Sequence, residues 1–124
     1  MLTRLDHLVI LVGDLGVAAA DYERLGFTVT PGGERADGLT RNALIPFDAG
    51  SYFELVNFLD PEDPTDNVWG WRAFLPREAL SDYCAASDDL EADVGRLQSQ
   101  GLGSRELDPL LTHGVGIRLQ SSEG

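Results

Sequence analysis

Two residues in this sequence sit where their chemistry is out of place. His7 lies in "LDHLVILVGDL", an otherwise apolar run, and Glu54 lies in "SYFELVNFL". Successive side chains of a strand point to opposite faces. Leu5, His7, Val9 and Leu11 therefore share one face of their strand, and Tyr52, Glu54, Val56 and Phe58 share one face of theirs. A carboxylate among apolar neighbours must be paired, solvated or bound to a cation, because burying it alone is very costly. Asp82 shares a strand face with Cys84 and Ala86, small residues that leave room in a cavity. One imidazole and two carboxylates could converge on a divalent ion, and Zn²⁺, Ni²⁺, Mn²⁺, Mg²⁺ and Fe²⁺ all suit such ligands.

The remaining reactive side chains carry less chemistry. Cys84 stands in an apolar strand with no histidine near it in sequence, which reads as a small core residue rather than a nucleophile. His113 adjoins Gly114 in a turn and reads as a solvated loop residue, so an iron site of two imidazoles and one carboxylate lacks its second imidazole. The glycines of "PGG" and "ADG" form turns, not a phosphate loop, since no Gly-Lys-Ser/Thr element follows. Arg35 and Arg41 could hold a substrate carboxylate, and Asn42 in "TRNALIP" is expected to face the cavity. Trp69 and Trp71, in "VWGWRAFLP", either pack over a sheet edge or wall a pocket, as apolar substrate sites require.

The elements that must position these residues repeat. Arg4 to Val12 is a nearly continuous run of apolar residues, as in a strand covered on both faces. Asp14 stands at an N-cap position, Leu15, Ala18, Tyr22 and Leu25 follow at helical spacing, and Gly26 is a stop. "FTVT" reads as a second strand, "PGGERADG" as a turn or loop, "TRNALIPF" as a third strand and "SYFELVNFL" as a fourth. The pattern returns 75 residues later: "SDYCAAS" is strand-like, Asp89 is a cap, Leu90, Val94 and Leu97 keep helical phase, and Gly101 stops. In both copies the Gly lies 11 residues after the Leu that opens the helix. Strand candidates near "SRELD" and at "VGIRLQ" follow, separated by "PLLTHG". The fold class is α+β, a single domain with an internal duplication. Module one covers about 4–59, an acidic Pro-rich connector about 60–79, and module two about 80–124.

Composition narrows the partners. The formal charge is −12, and all nine basic residues are arginines scattered along the chain, so a phosphate-binding surface for nucleic acid is not built. No apolar run approaches the roughly 20 residues that span a bilayer. "MLTRLDH" has none of the features of a secretory signal, and Cys84 is the single cysteine, so a cytoplasmic protein is expected.

The quoted segments "LDHLVILVGDL", "RLGFTVTPGG", "TRNALIP" and "SYFELV", with the later "SDDLEADVGRLQSQGL", resemble the glyoxalase-like domains of the vicinal oxygen chelate superfamily, over about residues 4 to 120. The resemblance implies paired βαβββ modules whose sheets enclose a cup, with metal ligands on the first and last strands of each module. Carried onto this chain, those positions are His7, Glu54 and, by the 75-residue offset, Asp82. The chain departs from the pattern in three places. Asp82 is shorter than the usual His, Gln or Glu. The loop after the second strand, where relatives often carry His, has Glu34 and Arg35. The offset from Glu54 runs past Gly124, so the second module lacks its last strand and "VGIRLQ" is expected at an open edge. The implied function is binding of a small oxygenated molecule, as a divalent-metal-dependent lyase or isomerase with Glu54 or Asp82 alternating between ligand and general base while His7 anchors the ion. The alternative is a metal-free binding or sequestering protein of the bleomycin-resistance kind. In either, Asn42, Tyr52, Trp69 and Trp71 would line the ligand site. A homodimer is expected to complete the cup.

Overall fold

A computed structural model of the chain describes residues 1–67, 70–101, 103–106 and 115–120, the last two groups as backbone alone. The order is β1 (Leu2–Leu11), α1 (Leu15–Arg24), β2 (Thr30–Glu34), β3 (Thr40–Pro46), β4 (Tyr52–Phe58), a short 3-10 helix (Trp71–Phe74), β5 (Ala79–Ser87), α2 (Leu90–Ser99), β6 (Gly103–Glu106) and β7 (Val115–Gln120). The chain forms two compact units. One is Leu8–Ser81; the other joins Met1–His7 to the chain from Asp82 onward.

The repeated punctuation does what its chemistry dictates. The Asp14 carboxylate accepts from the Val17 amide at 3.0 Å, and the Asp89 carboxylate from the Ala92 amide at 3.2 Å. Each satisfies one of the amides that a helix start leaves without an intrahelical partner. Gly26 and Gly101 stand just past the two helices with φ of 103° and 80°, a conformation that costs a glycine nothing. The two ten-residue helices begin 75 positions apart, at Leu15 and Leu90. The capped-helix part of the repeat is present in both places.

In the unit Leu8–Ser81 the strand order is β2-β3-β4-β1, and strand alternation sorts its side chains into two cores. On one face Val9, Leu11, Val56 and Phe58 bury against Trp71, which is wholly inaccessible. On the other face Val12, Ile45 and Leu55 meet Ala18 of α1, with Tyr22, Phe27, Val29 and Phe53 around them. Losing a core ring such as Trp71 would cost about 3–5 kcal/mol. Tyr52, Glu54, Val56 and Phe58 alternate with Phe53, Leu55 and Asn57 as the pattern requires, and Glu54 enters the strand buried.

Two expectations are corrected. The second strand is not "FTVT". Phe27 and Val29 pack into the helix-side core from irregular backbone, and β2 runs from Thr30 through the glycines that read as a loop. Its pairing with β3 slips between Pro31 and Gly33, a bulge at Gly32. A Cβ on Gly32 would stand 1.9 Å from the Asn42 side-chain oxygen, so the close approach of the two strands needs a residue without one. β7 is also not an open edge, because it pairs with β5 on one side and with β6 on the other.

In the unit of Met1–His7 and Asp82 onward the order is β1-β5-β7-β6, and Val94 and Leu97 of α2 pack with Leu2 and Leu90. Among the described residues the second module has two strands after its helix where the first has three, so in chain order it is one strand short. In the sheet, β7 lies beside β5 as β4 lies beside β1.

The connector is ordered by its own acids. Asp60 and Asp63 carboxylates accept from the Glu62 and Thr65 amides, and the Asn67 side-chain oxygen accepts from the Trp71 amide at 3.0 Å. Arg72 donates to the Asp60 carbonyl at 2.9 Å and stacks 4.4 Å from the centre of the Phe58 ring. The 3-10 helix that carries Trp71 is thereby tied to the strand it covers. Among the described residues no helix is long and apolar enough to cross a membrane.

Candidate functional site

Glu54 is 4% exposed. Its Oε2 accepts from the Arg35 guanidinium Nη1 and from the Asn42 amide Nδ2, the latter at 2.9 Å. Both donors come from register, not from sequence proximity. β3 and β4 pair with Asn42 opposite Val56 and Leu44 opposite Glu54, so Asn42 reaches Glu54 across the diagonal of the ladder. Arg35 leaves β2 just past the Gly32 bulge, with its backbone amide on the Thr40 carbonyl at 2.9 Å. Its guanidinium carbon lies 5.3 Å from the centre of the Trp71 ring. The buried carboxylate is thus paired with a cation, held by a neutral amide, and floored by an aromatic face.

A second group of ligating atoms lies in the other unit. Asp6, His7 and Cys84 are all buried, and one donor atom from each lies within 4.8 Å of the others. His7 Nδ1 stands 2.8 Å from Asp6 Oδ2, and Arg4 is 3.3 Å from Asp6 Oδ1. A carboxylate only accepts, so His7 Nδ1 donates to Asp6. Thiol, imidazole and carboxylate together are a donor set that suits a borderline ion such as Zn²⁺.

The residues singled out from the sequence are thus placed as follows. Asn42 and Glu54 are brought together. His7 lies with Asp6 and Cys84. Asp82 is half-buried, accepts from the Tyr83 amide at 2.8 Å, and is not in the three-donor group found among the described residues. Tyr52 is half-buried at the start of β4, paired with Pro46. Trp71 is a core residue that also floors the Arg35 guanidinium. Trp69 and His113 lie outside the described residues. Sequence reasoning missed Arg35 as the partner of Glu54, for which only the register of β2 gives a signal. It also missed Asp6 and Cys84. Alternation assigns Asp6 to the face opposite His7, whereas their side chains meet.

A depression of about 340 Å³ opens beside α1, between Ile10, Ala18 and Tyr22, with Asp14, Asp21 and Glu78 at its rim. It holds none of the residues expected to act.

Strand order, capped helices and a buried acid on the last strand of the first module together define a fold of the vicinal oxygen chelate type. The family described as a glyoxalase-like domain matches residues 5–118, and the chain belongs to it. Among solved structures, the chain is similar to methylmalonyl-CoA epimerase from Mycobacterium tuberculosis, at 25% identity and a TM-score of 0.64, covering 93% of this chain and 85% of that one. A Streptomyces coelicolor methylmalonyl-CoA epimerase variant in complex with 2-nitronate-propionyl-CoA matches at 21% identity and a TM-score of 0.65, covering 94% of each chain. A methylmalonyl-CoA epimerase in complex with methylmalonyl-CoA and NH4+ matches at 21% identity and a TM-score of 0.65, over 94% of this chain and 92% of that one. No curated protein matches the chain.

Proposed function

We propose that this glyoxalase-like domain binds a small oxygenated molecule beside Glu54 and moves a proton on it, an isomerase- or lyase-type reaction. The observation that carries the reading is the buried Glu54 carboxylate with Arg35 and Asn42 donating to one of its oxygens. Two donors on Oε2 fix the plane of the carboxylate, and a fixed carboxylate is what proton transfer at a carbon next to a carbonyl requires. Arg35 and Asn42 hold that plane, while Trp71 keeps water from beneath the guanidinium. The similarity to epimerases supports the reaction class. A divalent ion held at His7, Asp6 and Cys84 would supply Lewis-acid chemistry at that cluster.

A second reading, a binding or sequestering protein without catalysis, is favoured by the Arg35–Glu54 pair, which compensates the buried charge with no need of a reaction. One experiment separates the two. The protein is incubated in D₂O with a panel of carbon acids, methylmalonyl-CoA and small free oxo acids among them, and the α-proton signal is followed by NMR. An isomerase exchanges that proton, and Glu54→Gln slows the exchange about 100-fold or more. Ligand shifts without exchange in the unaltered protein would leave the binding reading.

A further inference from the structure

We infer that the Arg35 guanidinium is the resident cation of Glu54, so that Glu54, which the family resemblance marks as a metal-ligand position, is not a metal ligand in this protein. The inference deepens the reading of Glu54 given above and rests on it for the site's purpose, though not for its test.

The placement is built. Arg35 is held at its backbone by the Thr40 carbonyl, which accepts from the Arg35 amide at 2.9 Å, and its own carbonyl accepts from the Gly38 amide at 3.0 Å. The loop is closed on itself, so the side chain leaves from a fixed root. The guanidinium then lies against Trp71 and contacts Oε2 of Glu54. The Glu54 side chain is 6% exposed and that of Arg35 24%. Asn42 adds a second donor to the same oxygen. An ion arriving at Oε2 would have to displace an amide and a guanidinium, and it would meet the positive charge of Arg35 at contact distance in a site with little water to screen it.

The chemistry of the two buried groups then divides. The group at His7, with a thiol and an imidazole, suits a borderline metal ion. The group at Glu54 already holds a cation that cannot lose its charge and that presents several N–H donors in a plane. The guanidinium edge not used by Glu54 is a receptor for a carbonyl or enolate oxygen, the charge-neutralising part that a metal would otherwise play.

The test is metal binding by the full chain, measured by calorimetric titration with Zn²⁺ and with Mn²⁺ alone. In the unaltered protein, Glu54→Gln should leave each dissociation constant within about twofold. Arg35→Ala should create a new site with at least about tenfold tighter binding. That gain should vanish in Arg35→Ala with Glu54→Gln, and millimolar methylguanidinium should compete with it. Arg35→Gln serves in place of Arg35→Ala where thermal melting shows that the smaller side chain does not fold. Metal binding by the unaltered protein that falls tenfold or more on Glu54→Gln would overturn the inference. So would folded Arg35 variants that gain no site. Proton exchange is read separately. A protein that exchanges no substrate proton but gains a Glu54-dependent site on losing Arg35 keeps this inference and loses the isomerase.

Discussion

Gly32→Ala offers a sharp test of how the Glu54 site is held. The added methyl would stand 1.9 Å from Asn42 Oδ1 and 2.9 Å from both its amide carbon and its backbone oxygen. The side chain can rotate away, but only by giving up the 2.9 Å hydrogen bond to Glu54. A hydrogen bond to a charged group is worth about 1.5–3 kcal/mol. Replacing a glycine returns about 0.4–1 kcal/mol through the unfolded chain. The 2.9 Å contact with the backbone oxygen adds a further cost, because a strand cannot move away as a side chain can. The expected net loss is about 2 kcal/mol, or a fall in melting temperature of about 6–12 °C. The decisive measurement is the double-mutant cycle with Asn42→Ala, by urea unfolding. If Gly32 acts through Asn42, the cost of Gly32→Ala should drop by about 1 kcal/mol or more in that background. The same cost in both backgrounds, within about 0.5 kcal/mol, would refute the reasoning.

Three further outcomes are expected. Asp14→Ala and Asp89→Ala should each cost about 1 kcal/mol by denaturant unfolding, and the two losses should add, because the caps serve separate helices. Asp93, buried on α2, accepts from the Met1 ammonium, from the Ser87 hydroxyl and from Arg96, and these partners, the ammonium foremost, hold its carboxyl well below its ordinary value of 3.8. Its contribution to stability is present above that value and is lost as the pH falls below it, so Asp93→Asn should flatten the acid limb of a stability–pH curve. Light scattering at micromolar concentration should show a homodimer, since the sheet ends on β6, a short strand with one partner, and such edges are commonly covered or paired; a clean monomer would mean that the edge is protected within the chain.

Much of this fold was legible because its signals are local. A cap, a helical phase and a stop are all set by residues within a few positions of one another, which is why both helices could be read from Asp14 to Gly26 and from Asp89 to Gly101. Alternation is local too, so the burial of Glu54 among Val56 and Phe58 followed from seven residues of strand. Failure came where register decides. β2 breaks the propensity rules with Pro31 and two glycines, and only its partner strand makes it a strand. The one-residue slip of that bulge delivers Arg35 to Glu54, far along the chain, and no periodicity announces it. His7 drew attention as an imidazole in an apolar run, but its partners depend on folding. Asp6 should have faced away from it by alternation, and Cys84 comes from a strand of the other module. Side-chain types and local spacing therefore determine which groups must be buried. Strand pairing decides which charge each of them meets, because it alone brings distant residues within hydrogen-bonding reach.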